Sequence, residues 1–123
     1  MRVFKPRVFA RFARKVKLSD KALCDAVAEI ERDLIHADLG GGVIKQRIAR
    51  SGAGKSGGFR AIVLFRTESR AVFVYGFEKS AQDNIEDDEL REFRRLAGKL
   101  LSYSDAEIRA AIEADVLIEV NHG

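Results

Sequence analysis

The spacing of apolar positions changes several times along the chain, and each change marks an element. Residues 2–5 (RVFK) read as a short strand, stopped by the only proline, Pro6. Beyond it, Val8, Phe9, Phe12 and Val16 recur at helical spacing, with Arg7, Arg11, Arg14 and Lys15 between them. Ser19 is an N-cap candidate for a second helix, in which Leu23, Val27, Ile30 and Leu34 form one apolar stripe. Gly40-Gly41-Gly42 is expected to end that helix, with His36 in its closing turns.

The period then drops to two. In VIKQRIAR (43–50), Ile44, Gln46 and Ile48 alternate with Lys45, Arg47 and Ala49. GFRAIVLFR (58–66) has a continuous apolar centre, which predicts a strand covered on both faces. RAVFVYGFE (70–78) is rich in β-branched and aromatic residues, and Thr67 to Ser69 read as the hairpin loop before it. Helical spacing returns with Leu90, Phe93, Leu96, Ala97 and Leu100, behind a first turn of Glu86, Asp87, Asp88 and Glu89 that suits a helix dipole. Ser104 and Glu107 form a capping box for a short helix to Ala114, and VLIEV (116–120) is a candidate last strand. These elements predict one α+β domain over residues 1–123, with N-terminal helices packed on a twisted central antiparallel sheet and further helices at the C-terminal end.

Composition narrows the class. Hydrophobic residues at 46% and charged residues at 33% fit a folded globular chain and argue against disorder. No apolar run approaches the roughly 18 residues that span a bilayer, so no membrane role is expected. Cys24 is the only cysteine, which excludes an intrachain disulfide and a cysteine-based zinc cluster and makes the cytoplasm the expected home. His36 and His122 stand apart from each other and from any carboxylate–histidine cluster, so neither a metal nor a cofactor is expected.

The net charge is only +3, but it is unevenly spread. The first eighteen residues carry seven Arg or Lys and no acid. Lys45, Arg47, Arg50, Lys55, Arg60, Arg66, Arg70 and Lys79 face only Glu68 and Glu78, while acids gather in DNIEDDELRE (83–92). Such separation points to a basic face for a polyanion, most economically nucleic acid.

SGAGKSGG (51–58) ends almost like a phosphate-binding P-loop. That motif needs a glycine where Ala49 stands, and a helix directly after the loop whose N-terminus holds phosphate. Here a strand pattern follows. The stretch reads instead as a glycine-rich connection between two strands, with Lys55 at its tip and Arg47, Arg50 and Arg60 at its roots.

IKQRIARSGAGKSGGFRAIVLFR followed by FVYGFEKSAQDNI resembles the RelE/ParE superfamily of bacterial toxins, and is most similar to its HigB-like branch of type II toxin–antitoxin systems. The resemblance implies a ribosome-dependent, metal-independent mRNA endoribonuclease (an mRNA interferase) that inhibits translation. It also implies a cognate antitoxin of helix-turn-helix type, through which alone operator DNA would be bound. By position, Arg60 matches the family arginine at the scissile phosphate, and Arg47 and Lys79 match further basic positions of the catalytic set. Lys45, Arg50, Lys55 and Ser56 would grip RNA. Residues 80–90 lack the tyrosine or histidine that acts as acid or base in several relatives; Tyr75 reads as core, and Tyr103 lies past the long helix. The alternative reading is a non-nucleolytic inhibitor of the same fold, acting on a gyrase-type target or only through its antitoxin.

Overall fold

The structure is a computed structural model that describes residues 1–50, 54–78 and 85–121; the side chains of 50 and 54–57 are outside that description. The chain runs β1 (Arg2–Pro6), α1 (Arg7–Val16), α2 (Asp20–Glu31), β2 (Ala37–Gly40), β3 (Val43–Arg50), β4 (Gly54–Arg66), β5 (Arg70–Glu78), α3 (Asp87–Leu100), α4 (Asp105–Glu113) and β6 (Leu117–Glu119). The strands form one sheet in the order β2-β3-β4-β5-β1-β6. The architecture is the α+β arrangement that the patterning implies. One pairing departs from a purely antiparallel sheet: β1 lies parallel to β5, with Arg2 opposite Arg70 and Phe4 opposite Val72.

Two apolar layers hold the sheet. On one face α1 and α2 bury Phe9, Ala13, Leu23, Val27 and Ile30 against Val3, Ile44, Ala61, Val63 and Phe73. On the other, Ala97, Leu100, Leu101 and Ile108 cover Phe4, Val43, Ile62, Leu64 and Val72. Alternate residues of β4 therefore serve opposite cores, which is why its centre reads as unbroken apolar sequence. Each fully buried Phe, Leu or Ile contributes about 1.5–3 kcal/mol. The capping residues act as their types suggest. Ser19 Oγ accepts from the Ala22 amide, and Ser104 and Glu107 close a reciprocal capping box. Pro6, extended at φ −74° and ψ 169°, leads straight from β1 into α1.

The region between α2 and β3 differs from the prediction. The helix stops at Glu31, Asp33 takes a left-handed φ of 64°, and a short strand, β2, follows. Leu34 continues the helical stripe in sequence yet is 56% exposed. Gln46 explains how the chain is held there: its Nε2 donates to the Leu34 carbonyl at 2.8 Å, and its Oε1 accepts from the His36 amide at 3.1 Å. His36 thus precedes β2 and closes no helix. The three glycines instead form the β2–β3 turn, all at positive φ, a conformation that side-chain-bearing residues rarely adopt. A second correction concerns β4, which begins at Gly54 rather than Gly58 and pairs Gly54 with Arg50. Lys55 and Ser56 are strand residues and not a loop tip.

Candidate nucleic-acid interface

The alternation of β3 sends Gln46 and Ile48 towards α2 and leaves Lys45 and Arg47 on the α3 side of the sheet. Register then aligns them with neighbours. Lys45 lies opposite Ile62, and Ile62 opposite Tyr75; Arg47 lies opposite Arg60, and Arg60 opposite Phe77. Two rows therefore run across three strands, beyond the Val43–Leu64–Val72 row that α3 and α4 help to bury. Phe93 of α3 marks the boundary, its ring centroid 5.9 Å from that of Tyr75.

A β-bulge sets this arrangement. Val63 pairs with Phe73 but Ile62 pairs with Tyr75, so Val74 is an extra residue on β5. Val74 and Tyr75 both belong to the α3 side, and the alternation beyond them is shifted by one. Gly76 consequently faces α1, where a Cβ would stand 2.3 Å from Cε2 of Phe12. Tyr75 and Phe77 come to lie beside Arg60. Tyr75, read as core from sequence, is half-buried at this site.

The electrostatics of Arg60 are unusual. It is 5% exposed, and among the described residues its side chain donates only a long 3.4 Å bond, from Nη1 to the adjacent Phe59 carbonyl. Among the described residues no carboxylate pairs with it. Burial, and then the charge of Arg47 opposite, pull its pKa below the ordinary arginine value. It still carries a proton near neutrality, because arginine starts so far above that range. Arg70 shows what a structural arginine in this sheet looks like. At 9% exposure, its Nη1 donates to the Leu100 carbonyl at 2.9 Å and the Tyr103 carbonyl at 2.8 Å, closing the C-terminal end of α3. Arg60 has no such task. Arg47 is exposed, and its Nη2 lies 3.2 Å from Nε2 of His36. A guanidinium only donates, so Nε2 is the acceptor.

The structure brings Lys45, Arg47 and Arg60 onto one surface. Arg50 ends β3, and Lys55 and Ser56 lie in β4, with side chains outside the description. Lys79, Asp83 and His122 lie outside the described residues. Tyr103 is remote from the site, its carbonyl held by Arg70. Sequence reasoning missed His36 as a neighbour of Arg47. Nothing in its local pattern signals the contact, which exists only because a turn and β2 replace the last turns of the expected helix. The strand after residue 53 also leaves GAGKS without the helix N-terminus that a P-loop requires.

An α+β fold with a row of basic side chains on its sheet is the class these features define. The chain belongs to the RelE family, whose model, described as the RelE toxin of the RelE / RelB toxin-antitoxin system, matches residues 1–120. It is accordingly a toxin of a toxin–antitoxin system, with an antitoxin as partner. No curated protein matches the sequence.

Proposed function

We propose that this toxin is a ribosome-dependent mRNA endoribonuclease of the HigB-like branch, and that the Arg47–Arg60 row holds the scissile phosphate. The observation that carries the proposal is the buried Arg60, unpaired with any described carboxylate and facing a second arginine. Directly opposed residues place Cβ atoms about 4.5–5.5 Å apart, so two guanidinium groups can converge on one phosphate. The two cations that repel each other in the free protein become complementary when an anion lies between them.

The chemistry is transesterification. The ribose 2′-oxygen attacks the adjacent phosphorus, a P–O2′ bond forms, and the P–O5′ bond breaks to leave a 2′,3′-cyclic phosphate. The 2′-OH gives up one proton, and the departing 5′-oxygen takes one. Arg60, already desolvated, stabilises the negative charge that accumulates on the phosphoryl oxygens without reorganising solvent. Arg47 is the second clamp, and His36 positions it through the 3.2 Å contact. Lys45 extends the row towards the neighbouring backbone phosphate. Tyr75 and Phe93 offer rings on which an unstacked base can rest. Lys79 completes the catalytic set, and Arg50, Lys55 and Ser56 grip flanking RNA. The activity is cytoplasmic and needs no metal. The antitoxin is of helix-turn-helix type and carries the operator DNA contacts.

The test is cleavage of a defined message on translating ribosomes, mapped by primer extension, with DNA supercoiling assayed on the same preparation. New 3′ ends that depend on wild-type toxin support the proposal. Intact message together with failed supercoiling assigns the protein to the gyrase-type alternative.

A further inference from the structure

Transesterification needs a group that takes the proton of the 2′-OH, and the arginine row cannot supply it. The strand rows decide which side chains are near enough. Lys45, Ile62 and Tyr75 form one row and Arg47, Arg60 and Phe77 the other, and neither contains a carboxylate. Glu78 lies one residue on, opposite Phe59, and Phe59 meets Phe12 on the α1 face. Its carboxylate therefore belongs to the other side of the sheet. Ammonium and guanidinium groups only donate, and a phenol keeps its proton near neutrality. Among the described residues in contact with the row, the proton acceptor left is His36.

Two contacts fix its place. Its amide donates to Gln46 Oε1 at 3.1 Å, which ties the residue to β3 just before β2 begins. Its Nε2 accepts from Nη2 of Arg47 at 3.2 Å. An unprotonated nitrogen is thus held against the guanidinium assigned to the phosphate. Nδ1 is shielded from solvent, so Nε2 is the ring nitrogen that a substrate reaches. A phosphate oxygen bound to the same guanidinium would stand about 2.7–2.9 Å from it. Ring and phosphate are then neighbours around one side chain. A 2′-oxygen poised for attack lies about 3–3.5 Å from phosphorus, which brings it to the same place.

We propose that Nε2 of His36 is the general base that takes the 2′-OH proton, and that Arg47 covers it until RNA arrives. The proposal rests on the ribonuclease reading of the site. In the free protein Arg47 donates to a neutral nitrogen, whereas a phosphate is anionic and accepts two parallel bonds from a guanidinium. Substrate therefore draws Arg47 off the ring and uncovers the lone pair only when a phosphate is in place. The O2′–H bond then breaks towards Nε2, and its electron pair forms the P–O2′ bond. The P–O5′ bond breaks, and O5′ takes a proton from water. The imidazolium returns its proton to the hydroxide so formed, which leaves His36 neutral. While charged, the ring is a third cation beside Arg47 and Arg60, just as negative charge on the phosphoryl oxygens peaks.

The experiment is single-turnover cleavage on programmed ribosomes by the full chain, comparing wild type with His36→Gln and His36→Ala. Binding is measured in parallel on message carrying a 2′-O-methyl group at the cleaved nucleotide, which has no proton to give. Glutamine keeps an acceptor for Arg47 but is no base near neutrality, so it separates positioning from proton transfer. His36→Gln should bind the methylated message like wild type and cut on the order of 10²-fold more slowly, the low end of general-base effects. His36→Ala should be as slow, and added imidazole should restore part of its rate while leaving His36→Gln unchanged. Melting temperatures establish that both variants are folded. A folded His36→Gln protein that cuts at the wild-type rate overturns the proposal and leaves His36 a positioning residue for Arg47. So does a loss of rate matched by an equal loss of binding, or a His36→Ala protein that imidazole does not accelerate. Message left intact by wild type would instead overturn the ribonuclease reading itself, so the two failures are distinguishable.

Discussion

Arg47 and Arg60 are register partners across β3 and β4, so two guanidinium groups share one row of the sheet. Like charges directly opposite one another on a sheet are destabilising, and a buried charge without a partner costs several kcal/mol more. The fold bears this cost at a place where hydrophobic residues would pack. Core rows on the same face, such as Val43–Leu64–Val72, show what such packing looks like. The arrangement is intelligible as a site prepared for an anion.

Stability should therefore move in opposite directions at Arg60 and Arg70, the two arginines of this sheet that are buried among the described residues. Arg60→Met removes a repelling, desolvated charge while keeping a long apolar side chain, and should leave the melting temperature unchanged or raise it. Arg70→Met strips the Leu100 and Tyr103 carbonyls of their donor and should cost about 2–3 kcal/mol. Thermal melts of the two variants side by side check this. An Arg60→Met protein destabilised as much as Arg70→Met would mean that Arg60 is a structural residue.

Gly76 is required by contact with α1 and not by its backbone conformation. A Cβ there meets Cε2 of Phe12 at 2.3 Å, and Phe12 is wedged against Phe9 and Phe59. Gly76→Ala should destabilise by about 1–3 kcal/mol, as overpacking does. Adding Phe12→Leu should recover part of that loss, and a double-mutant cycle measures the coupling. Strict additivity of the two changes would show that the clash is relieved elsewhere.

Asp20, at the start of α2, ties three separate parts of the chain together, accepting from Lys5 of β1 and from the Asn121 amide beyond β6. Burial alone would raise its pKa, but the Asn121 amide and the Lys5 ammonium outweigh burial and hold it below the usual carboxylate value. A carboxyl whose folded pKa is depressed contributes stability above its unfolded pKa, and loses it as pH falls through the folded value. Asp20→Asn should thus lower stability by on the order of 1 kcal/mol near neutrality, a figure reduced for partial exposure. The difference from wild type should shrink as the medium is acidified below the carboxylate range. Denaturant titrations at several pH values check the sign, and a gap that widens in acid would contradict it.

Sequence carried the elements well where one periodicity ruled. The bounds Val43–Arg50 and Arg70–Glu78 follow directly from composition and alternation, and the Ser104 capping box from four residues. It also put Lys45 and Arg47 on one face. It could not show that Arg60 faces Arg47, because register depends on pairing between strands. The bulge at Val74 was hidden for a related reason: a strand apolar on both faces has no alternation to break. Leu34 extended a helical stripe past the true end of α2, where Asp33 turns left-handed and Gln46 captures the chain. The parallel pairing of β1 joins residues far apart in sequence, and neither local pattern hints at it.

Single-turnover cleavage of message on programmed ribosomes, with melting temperatures recorded on the same preparations, tests the role of Arg60 most directly. Arg60→Ala should remain folded and cut on the order of 10²-fold more slowly than wild type, as for loss of one donor to a developing oxyanion. Arg60→Lys should rescue poorly, since a point ammonium cannot reproduce a bidentate fork. A folded Arg60→Ala protein that cuts at the wild-type rate would contradict the assignment of the Arg47–Arg60 row as the phosphate site.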